Sequence, residues 1–300
     1  MAVVGLTQGW VAARLPQRPA RAHKGTFGRL LIVAGSLEYA GAALLTGLGA
    51  IRSGVGLACL ATPEAVGTRL LGLVPELTAM LLPEEAPGLI APGGWRRLAT
   101  EAPAYEALVI GPGLGRQPAT LRRARNFIGE LRRPTVVDAD GLVALAEVQR
   151  WWQPVRAQLV LTPHPGEFAR LLRLPDGESV ADDDDARAEA VREAAGRWGQ
   201  VVVLKGAYTV IASPDGELLR SDIATPALAT AGSGDVLAGA IGAFLASGLT
   251  PFDAAGCGVA VHGAAGLLAQ DRIGRAGVVA RDVANLLPTA IQQLADGKRG

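Results

Sequence analysis

The run Thr230-Ala231-Gly232-Ser233-Gly234-Asp235-Val236-Leu237-Ala238-Gly239 joins a glycine-rich turn to an apolar stretch of helical character. Backbone N–H groups at such a turn stay open to an anion, and the helix dipole adds to the attraction. Gly232, Ser233 and Gly234 form the expected anion hole. Asp235 sets a carboxylate where it can take a proton from a hydroxyl as a phosphoryl group arrives. The same carboxylate suits a plain helix N-terminus, so the run alone leaves two readings, general base and cap.

Other polar residues follow short apolar runs. Lys205 ends the run 201–204, where a lysine is costly unless it meets an anion. Nucleotide contact and a snorkelling strand end are both open for it. His164 sits in Thr162-Pro163-His164-Pro165-Gly166-Glu167, as a donor to a phosphate or amide or as a structural residue. Asp138 and Asp140 close the run 135–137 beside Gly141 and suit a water-mediated magnesium ion or an Asx turn. His262 reads as a core or interhelical hydrogen-bonding residue, and His23 as loop structure. Zinc spacing and the P-loop pattern are both missing from the sequence.

Apolar runs at 30–34, 55–60, 107–110, 135–137, 159–161 and 201–204 are separated by helical patterns. Continuous apolar runs mean strands covered on both faces, so about six parallel strands are expected in a doubly wound α/β sheet. Residues 208–212 and 217–220 flank Ser213-Pro214-Asp215-Gly216 and predict a β-hairpin at the sheet edge. Two small-residue helices are expected over 234–247 and 251–269. Ligands of open parallel sheets bind beyond the carboxyl ends of the strands, where Gly35, Gly113, Asp140, His164, Lys205 and Asp235 converge.

A length of 300 residues with 49% hydrophobic content can bury a large core. A net charge of +1 without a basic stripe argues against nucleic acid. Arg122, Arg123, Arg125, Arg132 and Arg133 read as the solvated face of a helix. The acidic run 182–185 reads as a solvated helix start, with a metal site as the competing reading. Cys59 and Cys257 lie in apolar segments, as in a reducing compartment. The glycine-rich segments 41–62 and 236–268 read as packed elements and not as spans, and no secretory leader is apparent. A cytoplasmic protein without membrane partners is expected.

The chain resembles the ADP-dependent (S)-NAD(P)H-hydrate dehydratases of the ribokinase-like superfamily. The stretches that carry the resemblance are His23-Lys24-Gly25-Thr26-Phe27-Gly28, Gly35-Ser36-Leu37-Glu38-Tyr39-Ala40-Gly41-Ala42, Arg52-Ser53-Gly54-Val55-Gly56, Gly111-Pro112-Gly113-Leu114-Gly115, Asp138-Ala139-Asp140-Gly141-Leu142, the His164 stretch, Leu204-Lys205-Gly206-Ala207-Tyr208-Thr209 and residues 232–239. They stand in the family's order over roughly residues 20–290. Ala231 departs from the glycine of many relatives, and its backbone N–H is unaffected.

The resemblance implies a three-layer α/β/α sandwich in a single domain over 1–300, with 1–20 as an N-terminal extension and no epimerase domain. It implies dehydration of the S epimer of NADH-hydrate or NADPH-hydrate through phosphorylation of the C6 hydroxyl, ADP becoming AMP, and loss of phosphate. Asp235 would be the base. Gly41, Ala42, Gly113, His164 and Asp235 would face the hydrate. Lys205, Gly206, Ala207, Tyr208, Thr209 and Gly234 would contact the nucleotide. Mg2+, ADP or ATP as donor, a separate NAD(P)H-hydrate epimerase acting upstream and a homotetramer are implied as well. A ribokinase-like kinase of a small alcohol and a non-catalytic nucleotide-binding protein are the alternatives.

Overall fold

Residues alternate along each strand between two apolar cores, and this alternation sets the architecture. A computed structural model describes residues 3–70, 72–175, 178, 180 and 183–297. The strands are β1 (Val4–Gly5), β2 (Arg29–Val33), β3 (Leu57–Pro63), β4 (Thr78–Leu82), β5 (Glu84–Ala86), β6 (Leu89–Ile90), β7 (Ala107–Ile110), β8 (Thr135–Val137), β9 (Leu159–Leu161), β10 (Val201–Leu204), β11 (Val210–Ala212) and β12 (Leu218–Arg220). Ten of them form one sheet, in the order β1-β12-β11-β10-β9-β8-β7-β2-β3-β4, and β5 pairs with β6 apart from it. From β10 to β4 every pairing is parallel.

Leu30, Ile32, Val109 and Val203 face the helices Ala40–Arg52, Ser233–Ala246, Pro251–Ile273 and Ala280–Asp296. Leu31, Val33, Leu108, Ile110 and Val202 face the helices Pro92–Glu101, Pro118–Glu130, Asp140–Ala146, Pro165–Leu172 and Asp184–Trp198. The result is the expected three-layer α/β/α arrangement. From β2 the chain proceeds outward through β3 to β4; from β7, on the other side of β2, it proceeds through β8 and β9 to β10. The order therefore reverses between β2 and β7. The helix after β2 covers one face and the helices after β7, β8 and β9 cover the other, so the loops leaving β2 and β7 part and open a crevice. Gly35 N donates to Pro112 O across those loops at 2.9 Å.

All six expected parallel strands are present. Three features differ from expectation. β4 adds a seventh parallel strand and carries β3 through Pro63, in register Thr62↔Leu81 and Pro63↔Leu82. The β11–β12 hairpin is not the edge, because β1 pairs in parallel outside β12, in register Val4↔Leu219. A two-residue strand is too short to show a period. Arg123 and Arg125 are also not fully solvated: they reach Glu85 and Glu147 with side chains 23% and 21% exposed. Asp183 caps the Asp184–Trp198 helix by accepting from Asp185 N and Ala186 N, while Asp182 lies outside the described residues.

Cys59 and Cys257 are buried and unpaired. The helix Pro251–Ile273 is long and apolar enough to cross a membrane, but 72% of its most apolar window is buried inside the fold. It packs between the Ser233–Ala246 and Ala280–Asp296 helices.

Candidate active site

Asp138 leaves the end of β8 almost wholly buried, and two groups from neighbouring strand ends reach it. Thr162, just past β9, donates its hydroxyl to Asp138 Oδ1 at 2.8 Å. Lys205, just past β10, donates Nζ to the same oxygen at 2.8 Å. Glu167 Oε2 stands 3.9 Å from that ammonium. Burial lowers the Lys205 pKa, but Asp138 and Glu167 raise it further, and the net direction is up. Lysine thus stays charged in a place where a bare cation would be costly. Burial raises the Glu167 carboxyl, against the pull of Lys205.

Ala139 turns the chain with φ +48°, in the region that favours glycine. The turn sends Asp140 into the first turn of its own helix. Asp140 accepts from Gly115 N through Oδ2 and from Arg116 Nε through Oδ1, both at 2.9 Å, and so ties the loop after β7 to the site. Asp138 and Asp140 therefore both hold the protein's own groups. No cluster of three acidic, histidine or cysteine side chains suits a metal ion among the described residues. A magnesium ion fits here only as one carried on a ligand's phosphates with its waters, beside the carboxylates left unengaged.

Asp235 is such a carboxylate. It lies half-buried in the first turn of the Ser233–Ala246 helix, and no hydrogen bond or ion pair among the described residues engages it. Burial pushes its pKa up to about 7, with Asp138, Asp140 and Glu167 adding to the rise and Lys205 opposing it. A carboxylate poised near neutrality is suited to proton abstraction. Gly232 precedes the helix with φ +86°, and a side chain there would collide with Leu45. No side chain caps this helix, so the amides of Gly234 and Asp235 present an anion site, whereas the Ser233 amide of the expected anion hole donates to Thr230 O at 3.2 Å. A Cβ on Gly234 would stand 3.4 Å from Lys205 Nζ, which places the ammonium against the same turn.

Lys205, Gly206, Ala207, Thr209 and Gly234 line a cavity of about 590 Å³, together with Ser233 and His262. Its far lining is apolar and includes Ile223, Pro226, Leu228 and Val259. Cation and amides beside an apolar wall suit a ligand with a phosphate and a flat ring. Tyr208, with φ +55° and 42% exposure, does not line this cavity but an adjoining groove with Asp184 and Arg187, and Gly206 and Ala207 line both. Arg187, which sequence reasoning missed, is buried and donates to Ala207 O at 3.0 Å, so it holds that loop from behind.

His164 caps the Pro165–Leu172 helix. Its Nδ1 accepts from Gly166 N at 3.1 Å and Glu167 N at 3.4 Å, while Glu167 accepts from His164 N at 2.9 Å. An accepting Nδ1 leaves the proton of the neutral ring on Nε2, and the side chain is 58% exposed. The structural and donor readings of His164 are thus compatible. Gly41, Ala42 and Gly113 stand at the crevice between the ends of β2 and β7 and do not line the 590 Å³ cavity. Gly113 has φ +61°, and a Cβ there would meet Tyr39 and Ala42 at 2.7 and 2.9 Å.

A family model described as NAD(P)H-hydrate dehydratase matches residues 30–289. The chain is 40% identical over 291 residues to a bifunctional NAD(P)H-hydrate repair enzyme of Moorella thermoacetica, covering 97% of this chain and 54% of that protein. The chain thus spans about half the length of such bifunctional relatives. It is 36% identical to the ADP-dependent (S)-NAD(P)H-hydrate dehydratase of Bacillus subtilis, over 94% of this chain and 95% of that one. A crystal structure of the ADP/ATP-dependent NAD(P)H-hydrate dehydratase of B. subtilis, co-crystallised with ATP and Mg2+, matches with a TM-score of 0.84 and 35% identity, covering 98% of this chain and 99% of that one.

Proposed function

Because the chain belongs to the NAD(P)H-hydrate dehydratase family, we propose that it repairs the S epimer of NADH-hydrate or NADPH-hydrate, with ADP or ATP as phosphoryl donor. The observation that carries the reading is Asp235: a half-buried, unengaged carboxylate pushed up to about 7, beside an uncapped helix start and Lys205. Asp235 takes the proton of the C6 hydroxyl. The freed oxygen attacks the terminal phosphorus of the nucleotide, and the bond to the leaving phosphate oxygen breaks. With ADP the leaving group is AMP. The amides of Gly234 and Asp235, with the Lys205 ammonium, hold the charge on the transferred group. Magnesium, when bound, neutralises charge on the donor phosphates.

The new phosphate ester then departs as orthophosphate. The lone pair of the ring nitrogen breaks the C6–O bond, and loss of a proton from the adjacent ring carbon restores the dihydronicotinamide. Gly206, Ala207 and Thr209 hold the nucleotide along the apolar cavity. Gly41, Ala42 and Gly113 hold the hydrate, with His164 Nε2–H as a donor to it. The reading extends to an epimerase that converts the other hydrate epimer upstream, to one catalytic domain over 1–300, to a homotetramer and to the cytoplasm. The test is recovery of reduced-nicotinamide absorbance from prepared hydrate, magnesium and either ADP or ATP. Recovery only with a nucleotide supports the reading and identifies the donor. No recovery with either, and a phosphate ester retained on an alcohol, overturns it.

A further inference from the structure

Ser233 and His262 meet on the wall of the 590 Å³ cavity. Ser233 opens the Ser233–Ala246 helix, and His262 lies midway along Pro251–Ile273. Ser233 Oγ and His262 Nε2 are 3.0 Å apart, at residue exposures of 4% and 7%. A buried hydroxyl and a buried imidazole at this distance share one hydrogen. Which of them gives it decides what Ser233 can do. If the ring accepts, the only hydroxyl hydrogen points away from the anion site. If the ring donates, that hydrogen is free for the turn.

We propose that His262 is a positioning residue for phosphoryl transfer: its Nε2–H donates to Ser233 Oγ and turns the Ser233 hydroxyl hydrogen toward the anion site at Gly234. A side-chain donor then joins the two backbone amides. Burial lowers the His262 pKa to about 4, Ser233's backbone raises it by a hydrogen bond, and Lys205 lowers it. The ring is therefore neutral at working pH and has one N–H. With one N–H to give, the neutral ring can supply the shared hydrogen at 3.0 Å while Ser233 Oγ accepts it. His262 never charges in this role and touches neither reacting atom. The inference rests on the proposed function for its catalytic consequence, but not for its geometry.

The test has two arms. The chain has 3 histidines, so nitrogen-labelled histidine gives few ring signals to assign. The expected spectrum shows His262 protonated at Nε2 down to about pH 5, with its signals moving on addition of inorganic phosphate and in Ser233→Ala. A bare Nε2 with the proton on Nδ1 overturns the inference, whether or not the protein restores any hydrate. In turnover, His262→Leu is expected to lower kcat about tenfold while the hydrate KM stays within about twofold. His262→Gln, which carries an amide donor to about the same place, restores most of the loss. Ser233→Ala repeats the loss, and the double variant is no worse than either single one. Losses that multiply, or an equal loss in His262→Gln at an unchanged melting temperature, overturn it. A wild-type protein that restores no nicotinamide removes the proposed function, while the ring spectrum still decides this inference.

Discussion

Replacing Asp235 by asparagine should remove activity and add stability, and both effects follow from one buried charge. The free carboxyl has a pKa of 3.8, and the folded one is pushed to about 7, chiefly by burial. For an acid with a raised folded pKa, folding favours the protonated form. Below about pH 4 the group is neutral in both states and costs nothing. As pH rises from 4 to 7 the unfolded chain ionises freely while the folded one resists, so stability falls. Above 7 the cost is constant. At about 1.4 kcal/mol per unit, the ceiling is about 4 kcal/mol. Solvent access to a half-buried group reduces this to roughly 2 kcal/mol. An asparagine side chain cannot ionise, so Asp235→Asn should gain that amount at pH 8 and little near pH 4. Urea unfolding of both proteins across this range reads the difference. Turnover should fall at least about 100-fold, as for a lost general base, and wild-type kcat/KM should rise with pH through about 7. A variant with no growing stability advantage between pH 4 and pH 8 would refute the burial argument, and retained turnover would remove Asp235 as base.

Other substitutions separate the remaining roles. Lys205→Met leaves Asp138 buried with only the Thr162 hydroxyl, at an expected cost of about 3–5 kcal/mol in denaturant unfolding. Adding Asp138→Asn should recover much of that stability but not ADP affinity, and recovery of both would make Lys205 purely structural. His164→Asn keeps a good capping residue but withdraws Nε2–H, so stability should hold within about 0.5 kcal/mol while the hydrate KM rises about tenfold. An unchanged KM would confine His164 to its cap. Gly232→Ala puts a methyl against Leu45 at φ +86°, and should cost about 1–3 kcal/mol and weaken binding of inorganic phosphate, measured by unfolding and titration.

The central sheet was legible because buried parallel strands are unbroken apolar runs, and of the six, four end at glycine or a charged residue and two at Thr-Pro. β1 escaped because two residues carry no period, and β4 because its pairing, not its pattern, distinguishes it. At the site, residue types and strand ends brought Lys205, Asp138, His164 and Asp235 to one edge. Their pairings were not legible. Lys205 and Asp138 are 67 positions apart, and either could have faced a ligand or the other. Asp140 suits a water-mediated magnesium ion or an Asx turn by sequence, and neither reading contains the bonds its oxygens accept from Gly115 N and Arg116 Nε. Tyr208 sits within a run of cavity residues, and its positive φ and its place in the adjoining groove have no signal in the sequence. Gly41, Ala42 and Gly113 came from the family resemblance, since a glycine near a strand end has no chemistry of its own to read.

The most direct test of the account follows the oxygen. A hydrate carrying heavy oxygen in its C6 hydroxyl is incubated with the protein, magnesium and ADP, and the products are weighed by mass spectrometry. If Asp235 activates that hydroxyl for phosphorylation, the label leaves in orthophosphate, in step with restored nicotinamide and AMP. Label found in water while the nicotinamide is restored would contradict phosphoryl transfer through the C6 oxygen, and with it the role of the site built around Asp235 and Lys205.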